Sequence, residues 1–144
     1  MKDIMDTGNY FSDAELHLLD ANDMQKHNMY NLRDKILNPI RKHFGKAIYC
    51  TSGHRSPAHN ARVGGAADST HLCENGYAAA DISSPHVKII DLFHHIRLTY
   101  PYAQLILEED QGVIHVALNI EDVKNSKYIA TRKLVYEVWD EKKV

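Results

Sequence analysis

The chain has 144 residues, 44% hydrophobic and 25% charged, the proportions of a soluble globular protein long enough to form one domain (1–144) with a core that needs no metal or disulfide staple. A formal charge of −2, with lysines and arginines dispersed apart from the terminal "EKKV", gives no electrostatic reason for nucleic acid or an anionic membrane as the main partner. No segment approaches the ~20 apolar residues of a membrane span, so no membrane insertion is expected.

The N-terminal "MKDIMDTGNYFSDAEL" has no apolar run of signal-peptide length, so cytoplasmic synthesis is expected, and a target outside that compartment needs another route of delivery. Within it, Ser12 stands three residues before Glu15, the spacing of a capping box, and predicts a short helix over 13–20. Residues 28–44 place Leu32, Ile36 or Leu37, Ile40 and Phe44 at helical spacing; Pro39 interrupts or kinks this helix, and Gly45 ends it. "KAIYCTSG" reads as a strand. "HRSPAHNARVGGAADS" follows as a loop rich in Gly, Pro and Ser with room for one helical turn.

"AAADIS" is a short strand of small residues, and "HVKIIDLFHHIRLTYP" an amphipathic helix with Val87, Ile90, Phe93 or His94, and Leu98 on one side. His94 and His95 read as one packed and one solvated residue, with support of a nearby site as the alternative. "AQLILEE" and "VIHVAL" are apolar runs separated by "DQG", which predicts a hairpin. The tail "YIATRKLVYEVWDEKKV" fits either a strand or a helix. Helices packed on an antiparallel or mixed sheet, an α+β fold, account for this order. Cys50 and Cys73 match no metal-binding spacing, and two free, at least partly buried thiols fit them better than a disulfide.

Three residues stand out chemically. Alternation in "GVIHVAL" puts Ile114, Val116 and Leu118 on one face of a strand and His115 on the other, between small neighbours. Alone, His115 reads as a half-exposed strand histidine rather than as a ligand. Asp81 sits in an otherwise small and apolar strand, where a carboxylate is costly unless paired, hydrogen-bonded or bound to a metal. His71 lies at the lip of the preceding loop, ten positions before Asp81. Two imidazoles and a carboxylate from separate segments make a candidate three-ligand set of the kind that holds zinc and leaves a fourth position for water.

The ordered islands "SGHRSPAHN", "VGGAADSTH", "GYAAADI", "QLILE" and "VIHVAL" resemble the zinc D-Ala-D-Ala carboxypeptidase and L-alanyl-D-glutamate peptidase family, particularly its small phage-endolysin-type members. The resemblance extends from "FSDAEL" to the last strand and implies the hedgehog/DD-peptidase-like fold. It implies His71, Asp81 and His115 as zinc ligands. It also assigns Arg55 to the scissile carbonyl or its developing oxyanion and Glu108 as general base, with the adjacent Glu109 as substitute. Read without it, Arg55 is a loop arginine tying down local carbonyls, and "EED" a charged hairpin end. Ser69, Asn60 and Gly65 match family positions, with Ser69 contributing to substrate binding and the other two structural or substrate-positioning at most.

Departures from the family pattern are a longer loop between His71 and Asp81, Val113 in place of an aromatic residue, and Ala103 in place of an acidic one. The implied function is zinc-dependent hydrolysis of peptide bonds in bacterial peptidoglycan stem peptides, of carboxypeptidase or endopeptidase type, in phage lysis. Action would then lie in the host periplasm or cell wall, reached by a holin-like route, or in a virion. A phage structural or wall-binding protein that keeps the fold and metal without turnover is the reading from another class.

Overall fold

The computed structural model describes residues 8–132 and 138–140. Its strands are β1 (Tyr49–Ser52), β2 (Tyr77–Ser83), β3 (Gln104–Glu108), β4 (Val113–Asn119), β5 (Tyr128–Arg132) and β6 (Val138–Asp140), and its α-helices α1 (Asp23–Leu32), α2 (Asn38–Phe44), α3 (Pro57–Arg62) and α4 (Ile89–Thr99). The strands form one six-stranded sheet in the order β1-β2-β4-β3-β5-β6. Only the β3–β5 pairing is parallel, so the sheet is mixed and the fold is α+β, as expected.

Period-two alternation divides the sheet into two faces. Ala78, Ala80 and Ile82 of β2, Leu105 and Leu107 of β3, and Ile114, Val116 and Leu118 of β4 are buried in one core. Leu32, Ile36, Leu37 and Ile40 join them from the first helical region, and Leu92, Phe93 and Ile96 from α4. Burying a large aliphatic side chain contributes about 1.5–3 kcal/mol, so these positions carry most of the stabilisation that opposes chain entropy. The opposite parity on β2, β3 and β4 presents Asp81, Gln104, Ile106, Glu108 and His115 to the other side. The hairpin "DQG" joins β3 and β4 as predicted, with Gly112 at a φ of 65° that glycine adopts without strain.

Several elements differ from the sequence reading. The helix expected over 13–20 is a set of turns. Ser12 Oγ does accept from the Glu15 amide (3.1 Å), but the Glu15 carboxylate reaches out to the Cys50 amide (3.1 Å), and His17 turns to a φ of 59°. The first long helix begins earlier than residue 28, at Asp23, behind a complete Asn22–Gln25 capping box. It widens into a π turn at Arg33–Leu37 before α2 resumes with Pro39 in its first turn. A proline has no amide to bond four residues back and crowds that carbonyl, so the wider turn is the accommodation.

On α4 the buried positions are Leu92, Phe93 and Ile96, whereas Ile90 and Leu98 are exposed. The tail, readable as strand or helix, forms β5 and β6 where it is described. Cys50 and Cys73 are free and buried. No helix among the described residues is long and apolar enough to cross a membrane.

Candidate metal centre

Asp81 and His115 face each other across the antiparallel β2–β4 pair, in register. His71 reaches them from a single 3₁₀ turn, Thr70–Leu72, which Ser69 caps by accepting the His71 amide at 3.2 Å. The three side chains converge. His115 Nδ1 lies 3.1 Å from Asp81 Oδ1 and 3.2 Å from His71 Nε2, and His71 Nε2 lies 3.2 Å from the same carboxylate oxygen. Tetrahedral donors about 2.0–2.2 Å from a zinc ion stand roughly 3.3–3.6 Å from one another. The observed spacings are within a few tenths of an ångström of that.

Hydrogen bonds at the far side of each ring decide which nitrogen faces inward. His71 Nδ1 is 2.8 Å from the carbonyl oxygen of Gly53, a pure acceptor, so that nitrogen carries the proton and Nε2 offers its lone pair. His115 Nε2 is 2.9 Å from Gln104 Oε1, which leaves Nδ1 as the inward lone pair. Two lone pairs and a carboxylate oxygen meeting within 3.2 Å repel one another unless a cation or added protons lie between them. Burial by itself would raise the Asp81 pKa. Where protons rather than a cation fill that space, hydrogen bonding and positive charge from His115 and His71 outweigh it and hold the group well below the ordinary carboxylate range. A half-buried carboxylate meeting two imidazoles has the donor chemistry of a zinc site, so these residues fit the metal.

The segment Gly53–Arg55 frames His71 from both ends of its residue. The Gly53 carbonyl holds the ring, and the Arg55 amide bonds the His71 carbonyl at 2.8 Å. The Arg55 guanidinium stands 3.8 Å from Asp81 Oδ2 and donates to Asn60 Oδ1 at 3.4 Å. Asn60, buried, donates in turn to the Ala66 carbonyl at 2.7 Å. Gly65 lies so close that an added Cβ would stand 2.0 Å from Asn60 Oδ1, which accounts for glycine there. Asn60 and Gly65 thus shape the loop beside the arginine.

A cleft of about 390 Å³ opens over the three donors. Its walls include Arg55, Ser69 and Glu108, together with Asp68, Thr70, Gln104 and Ile106. His71, Asp81, His115, Arg55, Ser69 and Glu108 therefore border one space. Glu109 is not among the residues lining this cleft, as strand alternation expects for the neighbour of Glu108. His94 and His95 also stand elsewhere: His94 is exposed, and His95 stacks on His43 at 4.0 Å between ring centres.

The longer loop between His71 and Asp81 is fastened at several points. Asn28 Nδ2 donates to the Cys73 carbonyl (2.9 Å), Asn119 Nδ2 to the Asn75 carbonyl (3.1 Å), and the Ile120 amide to the Gly76 carbonyl (3.0 Å). The extra length is accommodated as positive-φ turns at Cys73, Asn75 and Gly76, and the two donors still meet. Sequence reasoning missed Gly53, Thr70 and Gln104. Gln104 could have been found from period two alone, since it shares a strand face with Ile106 and Glu108.

A family model described as Peptidase M15 matches residues 9–117, a span that includes all three donors, Arg55 and Glu108. No curated protein matches the chain.

Proposed function

The chain belongs to the Peptidase M15 family, a family of metallopeptidases, and from that premise we propose that it is a zinc-dependent hydrolase of peptide bonds in bacterial peptidoglycan stem peptides, acting in phage lysis. The observation that carries this reading is the convergence of two imidazole nitrogens and one carboxylate oxygen at the floor of a cleft that Arg55 and Glu108 also line.

In this reading His71 Nε2, Asp81 and His115 Nδ1 hold the zinc ion. Bound there, zinc supplies Lewis-acid chemistry, activating water and stabilising negative charge. Glu108 accepts the proton of the attacking water and returns it to the departing amine. Arg55 donates hydrogen bonds to the scissile carbonyl oxygen as negative charge develops on it, an interaction of a kind that contributes about 3–4 kcal/mol. Ser69 holds the loop that bears His71 and forms part of the wall against which the substrate lies. The stem-peptide substrate, the phage setting and delivery to the host wall rest on the motif resemblance.

The test is incubation of purified protein with peptidoglycan, with zinc or with a chelator, and assay of newly released amino groups. Release should require zinc. Glu108→Ala should keep stoichiometric zinc yet lose about 10²–10⁴-fold in turnover, while Glu109→Ala stays near wild type. Unchanged turnover in Glu108→Ala would remove that residue from the role of base. Zinc bound tightly with no amine released from any wall preparation would favour the wall-binding or structural role.

A further inference from the structure

Building on the metallopeptidase reading, we infer that Gln104 and Thr70 are positioning residues that keep the His115 proton on Nε2, so that Nδ1 offers its lone pair to the metal. Gln104 pairs with Ala117 in the β3–β4 ladder, which makes His115 its diagonal neighbour on the same face. Its amide oxygen lies 2.9 Å from His115 Nε2. That oxygen also accepts from Thr70 Oγ1, likewise at 2.9 Å, whereas the direct Thr70 Oγ1 to His115 Nε2 approach is 3.4 Å. The shorter contacts dominate, so the hydroxyl acts on the amide rather than on the ring.

A glutamine amide can present either oxygen or NH₂, and here the choice has consequences. With oxygen toward His115, the ring proton resides on Nε2 and Nδ1 has a free lone pair. With NH₂ toward His115, Nε2 becomes the acceptor and the proton moves to Nδ1, between the ring and Asp81 Oδ1 3.1 Å away. A proton at that nitrogen occupies the position a metal must take. In the orientation seen, the Thr70 hydroxyl donates to the amide oxygen and holds the side chain against the ring. Thr70 precedes His71 in sequence, so a single turn carries one metal donor and the group that orients the ring of another. Hydrogen-bond partners of metal-bound histidines typically alter metal affinity by about 10–100-fold when removed.

The experiment measures zinc affinity by competition with a chromophoric chelator, with thermal melting of the zinc-free proteins as the folding control. Gln104→Met, similar in shape but unable to accept, should weaken zinc binding about 10–100-fold. Gln104→Glu should restore wild-type affinity or better, because a carboxylate offers an oxygen in either orientation. Thr70→Val should weaken binding by less than Gln104→Met in the wild-type background and have little effect on top of Gln104→Glu. In zinc-loaded wild type, ring-nitrogen NMR should show the His115 proton on Nε2 and the metal on Nδ1.

Wild-type affinity in a folded Gln104→Met, or a proton on Nδ1 of the zinc-loaded ring, would overturn the inference and leave the metal site standing. Failure of the wild-type protein to bind zinc would overturn both.

Discussion

At Gly53 an added methyl group would stand 2.2 Å from the carbonyl oxygen of Leu16, a backbone atom that cannot swing aside. The same residue's carbonyl fixes His71. Gly53→Ala should therefore cost about 1–3 kcal/mol, as overpacking generally does, and should weaken zinc binding as well. Thermal melting and zinc titration read the two effects separately. A variant matching wild type in both would show that the two strands of backbone separate without consequence.

The buried thiols make a second prediction at this scale. Burial is the largest influence on both, and it pushes Cys50 and Cys73 up to about 12. An unfolded chain releases these protons near pH 8.5, whereas the folded one retains them to about 12. Between those limits the unfolded state binds fewer protons, so stability is complete below the lower value and declines as pH rises, by about 1.4 kcal/mol per thiol per pH unit. The urea midpoint should fall steadily above pH 9, and iodoacetamide at pH 8 should modify the unfolded protein but not the native one. Rapid alkylation of folded protein would contradict the burial of these side chains.

Among the elements, the outcome turns on whether local chemistry meets competition. Asn22 and Gln25 complete their capping box, with bonds of 2.8 and 2.9 Å, because nothing else claims either side chain. Asn22→Ala should cost about 1 kcal/mol and lower the melting temperature equally with and without zinc, since α1 packs on the core face of the sheet. A change in zinc affinity would mean that α1 bears on the metal site.

Ser12 and Glu15 have the same sequence spacing but different surroundings. Glu15 is drawn to the amide of Cys50, 35 residues away, and the predicted helix stops at one turn. On the α4 segment Val87 and Phe93 are buried as expected, and the error of phase concerns Ile90 and Leu98. The helix begins at Ile89, so Val87 precedes it, and the stripe built from Ile89, Leu92, Phe93 and Ile96 faces the core in place of one through Ile90 and Leu98. Helical spacing identifies an apolar face only when its starting residue is known. The strands were more legible because alternation needs no such origin: one buried position fixes the rest.

Over the whole molecule, the sheet separates stability from chemistry, with the core on one face and the cleft on the other. The three donors could hold a cation in the folded state and have no preformed counterpart in the unfolded chain. Zinc at 100 times its dissociation constant should add about 2.7 kcal/mol, a rise of roughly 5–10 °C for a chain of this size. Excess chelator should reverse it. Superimposable melting curves with and without zinc would rule out a preformed metal centre.

The family match ends at residue 117, within β4, yet β5 pairs in parallel with β3 and continues the sheet beyond it. The structural unit thus extends past the matched motifs.

From its own order of residues the chain determined the strand faces, the hairpin, the apolar stripe of α1 and α2, and the three side chains suited to a metal, because alternation, turn chemistry and donor type are properties of neighbouring residues. Tertiary structure alone decided that His71 and His115, 44 positions apart, come within 3.2 Å of each other. It also decided which ring nitrogen of each points inward, and that Gln104 and Gly53 stand behind them. Those facts depend on ladder register and on hydrogen bonds between distant segments, and no local pattern encodes a distance between strands that are not neighbours in sequence.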